Sequence, residues 1–137
     1  MHIEFDGKET LTIGGVKHNI GDIYAFDIAN INDYNHVRLI KKTENVILHK
    51  SADAQDCIKQ LIVIKRQLRK QNCEQFELID YVIVNMDKIY YVGQSKNSIL
   101  IEFDDRSFTK QVDVASKTAF IKTFDRYLAS NMSNTLN

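Results

Sequence analysis

Four histidines, two cysteines and one adjacent pair of carboxylates are the residues of this sequence whose types suggest chemistry. His2, His18, His36 and His49 show no i, i+4 pairing and no neighbouring Cys or Glu at zinc-ligand spacing. Cys57 and Cys73 lie too far apart for a C-x-x-C motif, and neither sits in a nucleophile signature. Asp104 and Asp105 are neighbours, so in a strand they would point to opposite faces, and a hairpin turn explains them better. Gly14, Gly15 and Gly21 match neither a P-loop nor the dinucleotide-binding glycine pattern. The expectation is therefore no catalytic residue, no metal, no cofactor and no small-molecule substrate. A binding role remains.

The elements that would position binding residues are mostly strands. Asp6-Gly7 between HIEF and ETLTI reads as a hairpin, and Gly14-Gly15 separates LTI from VKHNI. Gly21-Asp22 precedes IYAFDI, where a regular strand puts Tyr24, Phe26 and Ile28 on one face. NINDYN at 30–35 reads as a loop, followed by the strand HVRLI, the turn KKTEN and the strand VILHK. Ser51 can cap a helix from Ala52 to about Lys70, because Ala54, Cys57, Ile58, Leu61, Ile64 and Leu68 fall at helical spacing. Asp53 and Asp56 near its start, with Lys65, Arg66, Arg69 and Lys70 at its end, suit the helix dipole. Those four cations read either as a solvated terminus or as a phosphate patch.

Beyond QNCEQ the strands FELIDYVIVN, KIYYVGQ, SILIEF and RSFTKQVDV follow, with turns at 95–97 and at Asp104-Asp105. Ile99, Ile101 and Phe103 share one face; Phe108, Val112 and Val114 share another. A second helix over 116–129 would bury Phe120, Phe124, Tyr127 and Leu128. The polar end, residues 130–137, reads as a flexible tail. The fold class is thus α+β and β-rich, two blocks of antiparallel strands each followed by a helix, in one domain over 1–129.

Composition narrows the partner. With 18 basic and 18 acidic side chains the formal net charge is zero, so the basic excess common in nucleic-acid-binding domains is missing overall. The start, MHIEFDGKET, has no basic stretch leading into an apolar run, and the apolar runs are too short to span a bilayer. A cytoplasmic protein with two free thiols and no membrane partner is the expectation.

VIVNMDKIYYV at 82–92 resembles the Y-I-V-N-x-x-K-I-x-x-I segment of LytTR domains, the DNA-binding modules of bacterial response regulators. Val84-Asn85 and Lys88-Ile89 stand at matching places, and Phe76 falls where that family has a Phe. SILIEFDDRSFTKQV is similar to the family's next strand, turn and strand. Upstream, Asp22-Ile23-Tyr24 and Asn35-His36-Val37-Arg38-Leu39 look like the family's D-I-x-Y and N-Y-V-x-L. The resemblance spans about residues 8 to 114. It implies an elongated β fold, here with a longer first helix and an added C-terminal one, that grips duplex DNA through loops. Carried across, His36 matches a contact position in the first loop, and Arg38, Lys41 and Lys42 would add phosphate contacts.

Two other contact regions depart from the family. After Phe76, where a basic-polar run is usual, stand Glu77, Leu78, Ile79, Asp80 and Tyr81. After the last strand, where Arg is frequent, stands Asp113. Carboxylates there would repel phosphates. Asn85 and Lys88 also read as ordinary strand-end residues making a turn. Three functions compete: a LytTR-type transcription regulator on duplex DNA, a diverged module that binds a protein or its own second copy, and a single-strand binder of the Pur or Whirly type. The last would need exposed aromatics, and Tyr90-Tyr91 is the only adjacent pair.

Overall fold

Pairs of turn-forming residues decide where this chain reverses. The computed structural model describes residues 3–136, with side chains as far as residue 131. It is a strand-rich α+β protein, 46% strand and 32% helix, in which every strand pairing is antiparallel. Backbone contacts divide it into two units, Met1–Asn85 and Met86–Asn137, at a point the sequence marks with no linker.

In the first unit, β1 (Ile3–Asp6), β2 (Thr10–Ile13) and β3 (Val16–Asn19) form a three-stranded meander. Its second turn, Gly14-Gly15, has φ of 58° and 81°, the left-handed conformations of a two-residue hairpin turn. A 3-10 turn, Ile20–Asp22, leads into a five-stranded sheet of order β6-β5-β4-β8-β7: β4 (Ile23–Ile31), β5 (Tyr34–Lys41), β6 (Asn45–Ser51), β7 (Phe76–Ile79) and β8 (Val82–Asn85). The segment 30–35 is not a loop. β4 and β5 run to the ends of a tight hairpin, and only Asn32 and Asp33 turn, at φ of 53° and 68°. Asn and Asp tolerate that region better than other non-glycine residues, so two polar residues suffice.

FELIDYVIVN is likewise two strands rather than one, reversed at Asp80, whose φ is 53°. A register shift between Ile23 and Ala25 corrects the face of β4 as well. Ile23, not Tyr24, joins Phe26 in the core cluster, with the partly buried Ile28 packed against it, because the extra residue inverts the alternation.

Helix α1 (Ala54–Lys70) covers one face of this sheet and buries Cys57, Leu61, Ile64 and Leu68. Its N-cap is Asp53 rather than Ser51: Asp53 Oδ1 accepts from the Gln55 N–H at 2.9 Å, while Ser51 Oγ accepts from the Asp53 N–H. The helix ends with Asn72 at φ 57°, where the Cys73 N–H reaches the Leu68 carbonyl and the Asn72 N–H that of Arg69. This pair of bonds is a Schellman motif, closed by the buried Cys73 and Leu68. Both cysteines are free and buried.

In the second unit a 3-10 turn, Met86–Lys88, precedes β9 (Tyr91–Ser95), β10 (Ser98–Glu102) and β11 (Ser107–Gln111), in the order β11-β10-β9. Ile99, Ile101 and Phe103 are buried together, as their alternation requires. Val114 does not continue the face of Phe108 and Val112; it opens α2 (Val114–Leu136) and is exposed. Asp113 caps that helix, accepting from the Ser116 N–H at 2.7 Å and the Ser116 hydroxyl at 3.1 Å. α2 runs past residue 129 and buries Phe120, but Phe124 and Tyr127 are half-buried and Leu128 is exposed. Among the described residues no helix is long and apolar enough to cross a membrane.

Candidate nucleic-acid interface

Strand parity distributes the four expected DNA-contacting residues over two faces and a turn. On β5, Val37 and Leu39 point to the core under α1, and Lys41 shares their side; His36 and Arg38 point the other way. Lys42 is exposed in the turn between β5 and β6. His36, Arg38 and Lys41 stand within β5 rather than in a loop before it, because the expected loop is the body of the hairpin.

Arg38 is already engaged. Across the β4–β5 pairing it lies opposite Asp27, and its guanidinium closes a fork on that carboxylate, Nε to Oδ1 at 2.8 Å and Nη2 to Oδ2 at 2.6 Å. Both side chains are half-buried, and the hydrogen bond to Asp27 pushes the pKa of Arg38 up. A guanidinium held in this way stiffens the sheet face and has little left for a phosphate. Lys41 Nζ stands 3.7 Å from the carboxylate of Glu44.

The cross-strand register supplies a partner for His36 that the sequence reading missed. Lys50 on β6 is its Cα partner, and Lys50 Nζ sits 4.4 Å over the centroid of the Tyr34 ring. His36 Nδ1 is 3.1 Å from the Tyr34 carbonyl, which makes Nδ1 the donor and leaves Nε2 without a hydrogen-bond partner among the described residues. Tyr34, His36 and Lys50 thus cluster at the end of the β4–β5 hairpin, next to the Asn32-Asp33 turn. With Nδ1 as donor, Nε2 can accept a hydrogen bond, for instance from the amino group of adenine or cytosine. No spacing in the sequence joins residues 36 and 50; a register shift between Val37 and Arg38 on the β5–β6 pairing sets which residues meet.

Glu77, Asp80 and Asp113 have separate roles. Glu77, on the edge strand β7, pairs through Val84 and Ala25 to Ile40, so it faces the side of His36 and Arg38. Three strand spacings, about 14 Å, separate its strand from β5. Asp80 forms the β7–β8 turn. Asp113 belongs to the second unit, and the Ser116 N–H and hydroxyl that it caps hold its carboxyl below the usual carboxylate range.

His49, Asn85, Lys88 and Lys65 do structural work. His49 Nε2 lies 2.7 Å from Asp56 Oδ2, tying β6 to the first turn of α1. Asn85, at the end of β8, is buried and donates from Nδ2 to the Ile23 carbonyl at 2.8 Å, while Lys88 ends the 3-10 turn. Lys65, one of the four cations at the end of α1, turns inward and donates to the Phe76 carbonyl at 2.6 Å; burial lowers its pKa. Among the described residues no group of three His, Cys, Asp or Glu side chains is placed to hold a metal ion. No family model matches the chain, and no curated protein matches it.

Proposed function

We propose that the chain is a non-catalytic, LytTR-like DNA-binding module that meets duplex DNA with the end of its β4–β5 hairpin. One observation supports this most: Tyr34, His36 and Lys50 converge on one face of the hairpin end, with a cation, an imidazole and an aromatic ring together. Lys50 would hold a phosphate, His36 would read or anchor beside it, and the exposed Asn32 would reach the groove edge. Lys42 would add a phosphate contact from the next turn. Transcription regulation in the cytoplasm is the role that follows from this reading.

A second reading, a LytTR-like module that has exchanged DNA for a protein partner, is favoured by the fork between Arg38 and Asp27. That ion pair removes a cation the DNA reading needs.

Gel retardation on a pool of random-sequence 20-base-pair duplexes at low salt separates the two. The DNA reading expects the wild type to retard the pool, with His36→Ala and Lys50→Ala each weakening it and the double change Arg38→Ala with Asp27→Ala, which removes a pair already neutral, weakening it less. Asp33→Asn, which removes the carboxylate in the hairpin turn, should tighten binding. Absence of retardation by the wild type and by Asp33→Asn alike would leave the protein reading standing.

A further inference from the structure

The outward side of α1 carries a cluster of cations. From Cys57 to Cys73 there is no acidic residue. At about 100° per residue, Lys59, Ile62, Val63, Arg66, Arg69 and Lys70 fall within an arc of about 120°, opposite the buried stripe of Cys57, Leu61, Ile64 and Leu68. Among the described residues, Lys59, Arg66, Arg69 and Lys70 make no ion pair and no side-chain hydrogen bond. The helix dipole accounts for Arg69 and Lys70, but its influence fades within the last turn, and Lys59 and Arg66 stand before it. Ile62 and Val63, 37% and 39% exposed, lie at one level of the helix between Lys59 and Arg66, about 100° apart on either side of the line that joins those two cations.

We infer that this face of α1 docks an acidic, amphipathic protein segment, a helix of about three turns that sets aliphatic side chains on Ile62 and Val63 and carboxylates on the four cations. Charge complementarity and the aliphatic pair select this occupant together. A phosphate backbone would satisfy the cations but press charged groups on Ile62 and Val63, which then lose water without gaining an apolar contact. A bilayer-bound helix sinks its apolar face into lipid, and the apolar face of α1 is already committed to the protein core. An acidic helix with leucines at i, i+4 and i+7 meets both demands, as in helix-in-groove recognition. This surface is separate from the hairpin end, so the inference stands or falls independently of DNA binding.

Fluorescence anisotropy on the full chain tests it with four probes: a labelled 15-residue peptide of Glu and Asp with Leu at i, i+4, i+7 and i+11; the same peptide with Ser for Leu; a 20-base-pair duplex; and vesicles containing phosphatidylserine. The expected result is saturable binding of the leucine peptide, at least about tenfold tighter than that of the serine peptide. Lys59→Gln with Arg66→Gln and Lys70→Gln should weaken it about tenfold or more, and Ile62→Ser with Val63→Ser about fivefold, since the desolvated centre and the charged rim both contribute. All five positions are exposed, so thermal melting of both variants should match the wild type within the range of surface substitutions. Equal binding of the two peptides, or no binding of the leucine peptide, would overturn the inference. So would a triple variant that loses only duplex or vesicle binding while the peptide still binds.

Discussion

The two helices, each following a block of strands, are held by different physics. α1 buries four residues of one stripe completely and closes with a Schellman motif whose capping contact is itself in the core. α2 is longer, yet among its described residues only Phe120 and Lys117 are buried. Polar ties do much of its positioning: the Asp113 cap, Lys117 Nζ donating to the carbonyls of Ser95 and Lys96, and the Tyr127 hydroxyl bonded to Asp87. Apolar spacing of 3.6 residues thus tells which side of a helix faces inward. How deep that side goes depends on what packs over it.

Substitutions sharpen this contrast. Leu61→Ala in α1 should cost about 2–5 kcal/mol, the range for emptying a closed core position. Lys117→Met keeps the stem but strips both turn carbonyls of their donor, and should cost about 1–3 kcal/mol. Phe124→Ala, at a half-buried site stacked on Phe120 with ring centroids 6.1 Å apart, should cost about 1 kcal/mol, and Lys59→Ala less than about 0.5 kcal/mol. Urea melts give all four values. A Phe124→Ala loss as large as that of Leu61→Ala would mean that α2 is as deeply held as α1.

The smallest effect expected is a pH dependence in the first unit. His18 on β3 is 3% exposed, and among the described residues neither ring nitrogen has a hydrogen-bond partner. Burial first, then the nearby Lys41, lowers its pKa below the ordinary 6.5, with Glu44 opposing. The unfolded chain therefore takes up the proton more readily. The stability this group allows is full above pH 6.5 and declines as the pH falls below it. His18→Leu should flatten that limb of the stability profile. An unchanged profile in the variant would remove His18 as its cause.

Most of the strand order is legible from paired turn residues. Asp6-Gly7, Gly14-Gly15 and Asp104-Asp105 each reverse the chain where their chemistry suggests. The two turns that were not legible, Asn32-Asp33 and Asp80-Tyr81, lack glycine, so their left-handed backbone hides inside runs that look like a loop and a single long strand. The face of Tyr24 is lost to a register shift that alternation cannot reveal. For the site, the sequence supplies His36 and Arg38 on one side of one strand. The fork on Asp27 and the pairing with Lys50 exist only once three strands are in register. A cation's availability is a property of its cross-strand neighbour, and no count of Lys and Arg contains it.

The central claim is that the end of the β4–β5 hairpin contacts DNA, and the salt dependence of duplex affinity tests it most directly. The logarithm of the binding constant should fall linearly with the logarithm of salt concentration, by about 0.9 per phosphate contact. Lys50→Ala should reduce that slope by about 0.9, whereas the double change Arg38→Ala with Asp27→Ala, which removes a pair already neutral, should leave it nearly unchanged. Equal slopes for the wild type and Lys50→Ala, or a slope lost with that double change instead, would contradict the account.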